Sequence, residues 1–111
     1  MEISFSNSRL QKLCNAENKL RGQYGKRMTL LIQQRLAELS AAETLADMRC
    51  IVAAHCHELK QNFKGFLAVS LEHPDRLVFR PANDPVPLKS DGGLDWVKVT
   101  SIEVIGIGDY H

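Results

Sequence analysis

No apolar stretch in this chain approaches the ~20 residues that a membrane-spanning helix needs, so no part of it is expected to cross a bilayer. The opening, Met1-Glu2-Ile3-Ser4-Phe5, lacks a basic region followed by a long apolar one, and does not read as a secretory signal. Cysteine is scarce. Cys14, Cys50 and Cys56 are odd in number and irregular in spacing, which describes no disulfide framework. Reduced thiols and a cytoplasmic location are therefore expected. The net charge is only +1, too small for a protein that coats naked nucleic acid unaided. No strand-to-helix serine elbow is present, and Gly106-x-Gly108 is too short to cradle a phosphate and opens no helix. Cys50, His55, Cys56 and His57 match no closed zinc spacing, so neither a metal nor a small-molecule cofactor is expected.

What is present describes one domain. At 111 residues, 44% hydrophobic and 24% charged, the chain can bury a core of its own. Its charge is uneven. Residues 1–35 carry seven Lys or Arg against two acids, and residues 36–111 carry seven against eleven. That asymmetry points to a basic face for an anionic partner, with a solvated helix surface as the alternative.

Ile3 and Phe5 alternate as in a short strand. Asn7 and Ser8 can cap a following helix, with Leu10, Leu13, Cys14 and Leu20 on one stripe. Gly22 and Gly25 mark its stop. A second helix is predicted from about Lys26 to Ala42, with Met28, Leu31, Ile32, Leu36 and Leu39 as its apolar face. Thr44 and Asp47 resemble a capping pair. Residues 50–60 read as extended, 66–71 as a strand, His73-Pro74-Asp75 as a turn, and 76–80 as a strand with Leu77 and Phe79 on one face and Arg76, Val78 and Arg80 on the other. Residues 81–96 hold Pro81, Pro85, Pro87 and Gly92-Gly93 and read as a long loop pinned by Trp96. Val97 to Ile107 is apolar enough for a strand inside the sheet. The expected class is α+β in the order β-α-α-β-β-β-β, a helical hairpin on one face of a twisted antiparallel sheet whose other face stays open.

The closing Asp109-Tyr110-His111 places a carboxylate, a phenol and an imidazole at a strand end, where they either solubilise the tail or move protons. Convergence with His57, Lys60, Lys64, Arg76 and Arg80 on the open face makes a metal-independent phosphodiester cleavage site. Imidazoles exchange protons near neutral pH, while Lys and Arg hold phosphate. RNA is the natural substrate, since its 2′-hydroxyl is an internal nucleophile. Each residue alone has a plainer reading, as a sheet histidine or a surface charge. His57 and Lys60 share a site only if the strand ends or bends near Leu59.

In order and spacing, several motifs together resemble the HigB-type toxins of the RelE/ParE superfamily, also called plasmid-maintenance killer proteins. They are Ile3-x-Phe5, the helical hairpin, Leu45-Ala46-Asp47-Met48, His57-Glu58-Leu59-Lys60, Lys64-Gly65-Phe66, Arg76-Leu77-Val78-Phe79 and Asp109-Tyr110-His111. The resemblance implies a RelE-like fold and a ribosome-dependent endoribonuclease of messenger RNA, neutralised by a helix-turn-helix antitoxin of the HigA kind. It implies His57 and His111 as the proton-transfer pair, Asp109 assisting, Tyr110 at the cut nucleotide, and Lys60 and Arg76 on phosphate. Two features depart from the family. Gln61 stands where a Gly often follows His-x-Leu-Lys, and the 81–96 loop is longer than in compact members. Related branches poison DNA gyrase, so a non-enzymatic gyrase inhibitor and an inactive antitoxin-binding module remain alternatives.

Overall fold

The computed structural model describes residues 1–110, so the expected catalytic His111 lies outside the described residues. Strand β1, Glu2–Phe5, alternates as its sequence predicts, packing Ile3 and Phe5 against the core. Asn7 then caps helix α1, Ser8–Cys14, its side-chain oxygen accepting from the Leu10 N–H at 2.8 Å. This helix is shorter than the Leu10–Leu20 stripe predicts. The chain leaves it at Asn15, a residue whose side chain competes for backbone hydrogen bonds, and restarts at Glu17. Helix α2, Glu17–Ala41, passes through Gly22 unbroken. It kinks at Gly25, whose φ of 84° and ψ of 172° are open essentially to glycine alone. Beyond the kink, Met28, Thr29, Ile32, Arg35 and Leu39 form the buried stripe.

The remaining strands are β2 (His57–Glu58), β3 (Leu67–Ser70), β4 (Arg76–Pro81) and β5 (Ser101–Gly108), giving a five-stranded sheet in the order β1-β5-β4-β3-β2. The sheet is mixed, which corrects the antiparallel expectation. β1 runs parallel to β5, with Ile3 opposite Ile102 and Phe5 opposite Val104. Alternation tells which residues share a face but not which way a strand runs, and this pairing closes only after the whole chain between them has been laid down. The fold is thus α+β, with helices packed against a mixed sheet.

Leu67, Val69, Leu77, Phe79, Ile102 and Val104 face the helices and bury with Leu20, Met28, Ile32 and Leu39. The opposite face is less open than the sequence predicts. Leu59, Ala68 and Val78 are buried there beneath Phe63, Phe66, Ile105 and Tyr110. A bulge produces part of this arrangement. Val78 pairs with Gly106 but Phe79 with Val104, leaving Ile105 as an extra residue in β5. An extra residue inverts the alternation beyond it. Ile102, Val104 and Ile107 therefore pack with the helix-side core, while Gly106 and Gly108 turn to the other face.

Arg35, a charged residue within α2, is 4% exposed. Its Nε donates to the Ser70 carbonyl at 2.8 Å, Nη2 to the Ala53 carbonyl at 3.0 Å, and Nη1 to Glu38 Oε1 at 3.0 Å. Between α2 and β2 the Asp47 carboxylate accepts from the Glu43 and Thr44 N–H groups, opening a 3-10 turn over Leu45–Cys50. A second turn, Val52–Ala54, follows, so the first part of the stretch read as extended is turned, and within it only His57–Glu58 is strand. The 81–96 segment is held by hydrogen bonds within itself and to neighbouring parts of the chain. Asn83 Oδ1 accepts from the N–H groups of Thr100 and Ser101, Leu88 bridges Leu94, and the Asp95 N–H donates to the Pro87 carbonyl. Trp96 closes the loop, its Nε1 donating to Glu58 Oε2 at 3.0 Å while Arg49 lies 4.4 Å over its ring. Among the described residues, no helix is long and apolar enough to cross a membrane.

Candidate functional site

β2 is only two residues long, and its brevity brings His57 and Lys60 together. The strand ends at Glu58, and Gln61 takes a left-handed φ of 55° that starts a 3-10 turn over Gln61–Phe63. The chain bends where an unbroken strand would have pointed the two side chains apart, and both line one cleft of about 330 Å³. A left-handed backbone costs a side-chain-bearing residue about 1–2 kcal/mol, part of which glycine would return as lost chain entropy. Gln61→Gly is therefore expected to raise stability by about 0.5–1 kcal/mol in urea unfolding, and a loss would show that the Gln61 side chain holds the turn.

His57 sits opposite Ala68 in the β2–β3 pair. Its Nδ1 lies 2.8 Å from the His55 carbonyl oxygen. A carbonyl only accepts, so Nδ1 carries the proton, and in the neutral ring Nε2 is left with the lone pair of a base. The rings of His55 and His57 stand 4.6 Å apart.

After β5 the chain lays Tyr110 back onto the sheet. Tyr110 meets Phe63 edge-on with centroids 5.5 Å apart, and its ring covers the two glycines that the bulge turned outward. A methyl group on Gly106 would stand 2.5 Å from the Tyr110 hydroxyl, and one on Gly108 would stand 3.6 Å from the ring. The Gly-x-Gly pattern is thus a flat seat for an aromatic side chain.

Arg76, at the start of β4, donates from Nη1 to the Tyr110 carbonyl at 3.3 Å. It does not pair with Glu72, which is engaged by Arg27 at 2.8 Å. Most of its donor fork remains available to a ligand in the cleft.

Of the residues proposed from sequence, His57, Lys60, Arg76 and Tyr110 line the one cleft, from three separate stretches of chain. Lys64 and Arg80 do not. They line a neighbouring cleft, and Arg80 Nε is bound to Glu103 Oε1 at 2.6 Å. Asp109 follows β5 as an exposed residue and is absent from the cleft lining. Sequence reasoning missed Glu58, Leu59, Gln61 and Phe63 as cleft walls. It also missed the role of Gly106, although glycine inside a strand is itself a sign of close approach.

None of the three cysteines lines this cleft. Burial pushes Cys14 up to about 11, and it pushes Cys56 up to about 12 against a small opposing pull from Arg49, so both stay protonated at neutral pH. Tyr24 is also raised, first by burial and then by Cys14, Asp75 and Tyr110, and remains a neutral phenol. Among the described residues, no group of three or more His, Cys, Asp or Glu is placed to hold a metal ion. No family model matches the chain, and no curated protein matches it.

Proposed function

We propose that this chain is a toxin of the HigB type with a RelE-like fold, a metal-independent endoribonuclease that cuts messenger RNA on the ribosome and is held in check by a helix-turn-helix antitoxin. The observation that carries the reading is the convergence of an imidazole, two cations and a phenol on one cleft of about 330 Å³. The chemistry needs little else. His57 Nε2 takes the proton of the 2′-hydroxyl, and that oxygen bonds to the adjacent phosphorus. The P–O5′ bond breaks, and the tail, Tyr110 with His111, returns a proton to the departing 5′-oxygen. A 2′,3′-cyclic phosphate remains. Lys60 and Arg76 bear on the phosphate oxygens as charge builds.

The basic first third gives the reading a second support. Arg9, Lys12 and Lys19 line a cleft of about 380 Å³ with Leu13 and Gln23, and none of the three cations is in an ion pair among the described residues. A patch of this kind suits ribosomal RNA.

The test is expression in growing cells with messenger integrity and plasmid supercoiling followed together. Growth arrest is expected with fragmented messages and unchanged supercoiling. Arrest with intact messages and relaxed plasmid would replace the nuclease with a gyrase inhibitor. No arrest and no fragments would leave an inactive antitoxin-binding module.

A further inference from the structure

A second cleft, of about 500 Å³, lies beside the first and shares Glu58 with it. One wall is the sheet, with Phe66 and Lys64 just before β3 and Arg80 in β4. The other is the 81–96 loop, which presents Val86, Leu88 and Leu94. That loop wall is tied by hydrogen bonds. The Lys89 N–H donates to the Gly93 carbonyl at 2.7 Å, the Gly92 N–H to the Lys89 carbonyl at 2.9 Å, and Asn83 and Trp96 fasten the two ends. Leu88 nonetheless stays 61% exposed and Val86 43%, apolar groups that this hydrogen-bonded segment presents to solvent.

The polar side is nearly spent. Glu58 accepts from the Trp96 indole, Arg80 is bound to Glu103, and Lys64 is the cation with no ion pair among the described residues. An apolar slot with one uncommitted cation complements a flat ring that carries an anion. Its volume falls in the range of small-ligand sites, whereas a stable protein partner needs about 800 Å² of each surface.

Resting on the ribonuclease reading, we infer that this cleft is a base-binding subsite for a nucleotide flanking the scissile phosphodiester, its base against Phe66, Leu88 and Leu94 and its phosphate on Lys64. The long loop then contributes sequence preference, because it supplies one wall of the pocket that the base enters.

The experiment titrates the 15N-labelled full chain with a 2′-O-methyl RNA hexamer, whose blocked nucleophile prevents cutting. Amide shifts are expected at Gly65, Gly92 and Gly93 together with those around Lys60 and Arg76. Leu88→Glu, at an exposed position, is expected to weaken binding about 5- to 150-fold, the worth of one stacked base. Lys64→Ala is expected to lower the salt slope by about one. Shifts confined to the Lys60–Arg76 cleft, with Leu88→Glu binding as tightly as wild type, would overturn the subsite and leave the ribonuclease reading standing. Shifts confined to the loop cleft would keep a nucleotide site there and remove the cutting site from beside it. A dimer seen by sedimentation and dissociated by Leu88→Glu would give the cleft to a second copy of the chain and overturn the proposal.

Discussion

Arg35→Ala is expected to cost about 3–5 kcal/mol of folding stability, a large share of the roughly 5–15 kcal/mol available to a domain of this kind. The guanidinium is 4% exposed and bonds to three acceptors on three segments: Glu38 within α2, Ala53 in the turn before β2, and Ser70 at the end of β3. Truncation strands the carbonyls of Ser70 and Ala53 without a donor, at about 1–3 kcal/mol each, and leaves a void where the side chain lay. Glu38 loses a partner but keeps some access to water, which limits its share. Arg35→Lys keeps the charge but not the fork, so it is expected to lose an intermediate amount. Urea unfolding followed by circular dichroism measures all three chains. A loss under about 1 kcal/mol for Arg35→Ala would mean that the clamp behaves as a surface charge. The clamp also bears on the site, because Ser70 is the cross-strand partner of Arg76. Loosening the Ser70 carbonyl loosens the strand beside the residue proposed to hold phosphate.

Arg35 also shows where the sequence stops being readable. It sits three residues after Ile32 on the apolar stripe, and nothing in its type distinguishes a buried three-acceptor clamp from a solvated helix charge. The β3–β4 hairpin was legible because alternation and a His73-Pro74-Asp75 turn specify both the faces and the connection. The Thr44–Asp47 pair was legible because a cap depends only on near neighbours. The parallel run of β1 and the bulge at Ile105 depend on contacts about a hundred residues apart or on a one-residue slip, and neither leaves a local trace. The bulge matters most to the site. It turns Gly106 and Gly108 toward the face where Tyr110 settles, and it makes a run that looked like a uniformly buried strand into a two-sided one. In the 81–96 segment, Pro81 closes β4 opposite Ile102, whereas Pro85, Pro87 and Gly92-Gly93 announced irregular backbone correctly. That irregular backbone is tied by Asn83 and Trp96, whose partners lie elsewhere in the chain.

Within the proposed reaction, His57→Ala is expected to lower the cleavage rate by about 10²–10⁴, the usual contribution of a positioned general base. The ring is half-buried at the end of a two-residue edge strand, so its loss should leave the fold intact. His57→Gln makes the sharper comparison. An amide can still donate to the His55 carbonyl, as Nδ1 does at 2.8 Å, but offers no nitrogen lone pair to take the 2′-hydroxyl proton. It should therefore be as slow as the alanine variant although it keeps the local hydrogen bond. Arg76→Ala is expected to cost about 10²–10³, the worth of one donor to developing charge, with Arg76→Lys recovering part of it. Cleavage of a defined message in a reconstituted translation reaction gives the rates, and the 3′ end of the product reports the cyclic phosphate. If His57→Gln cut at the wild-type rate, the imidazole would be a positioning group for His55 and β2, and proton abstraction would have to come from another group in the cleft. If Arg76→Ala alone were silent, phosphate would rest on Lys60, and the Arg76 bond to the Tyr110 carbonyl would be a strap that holds the tail.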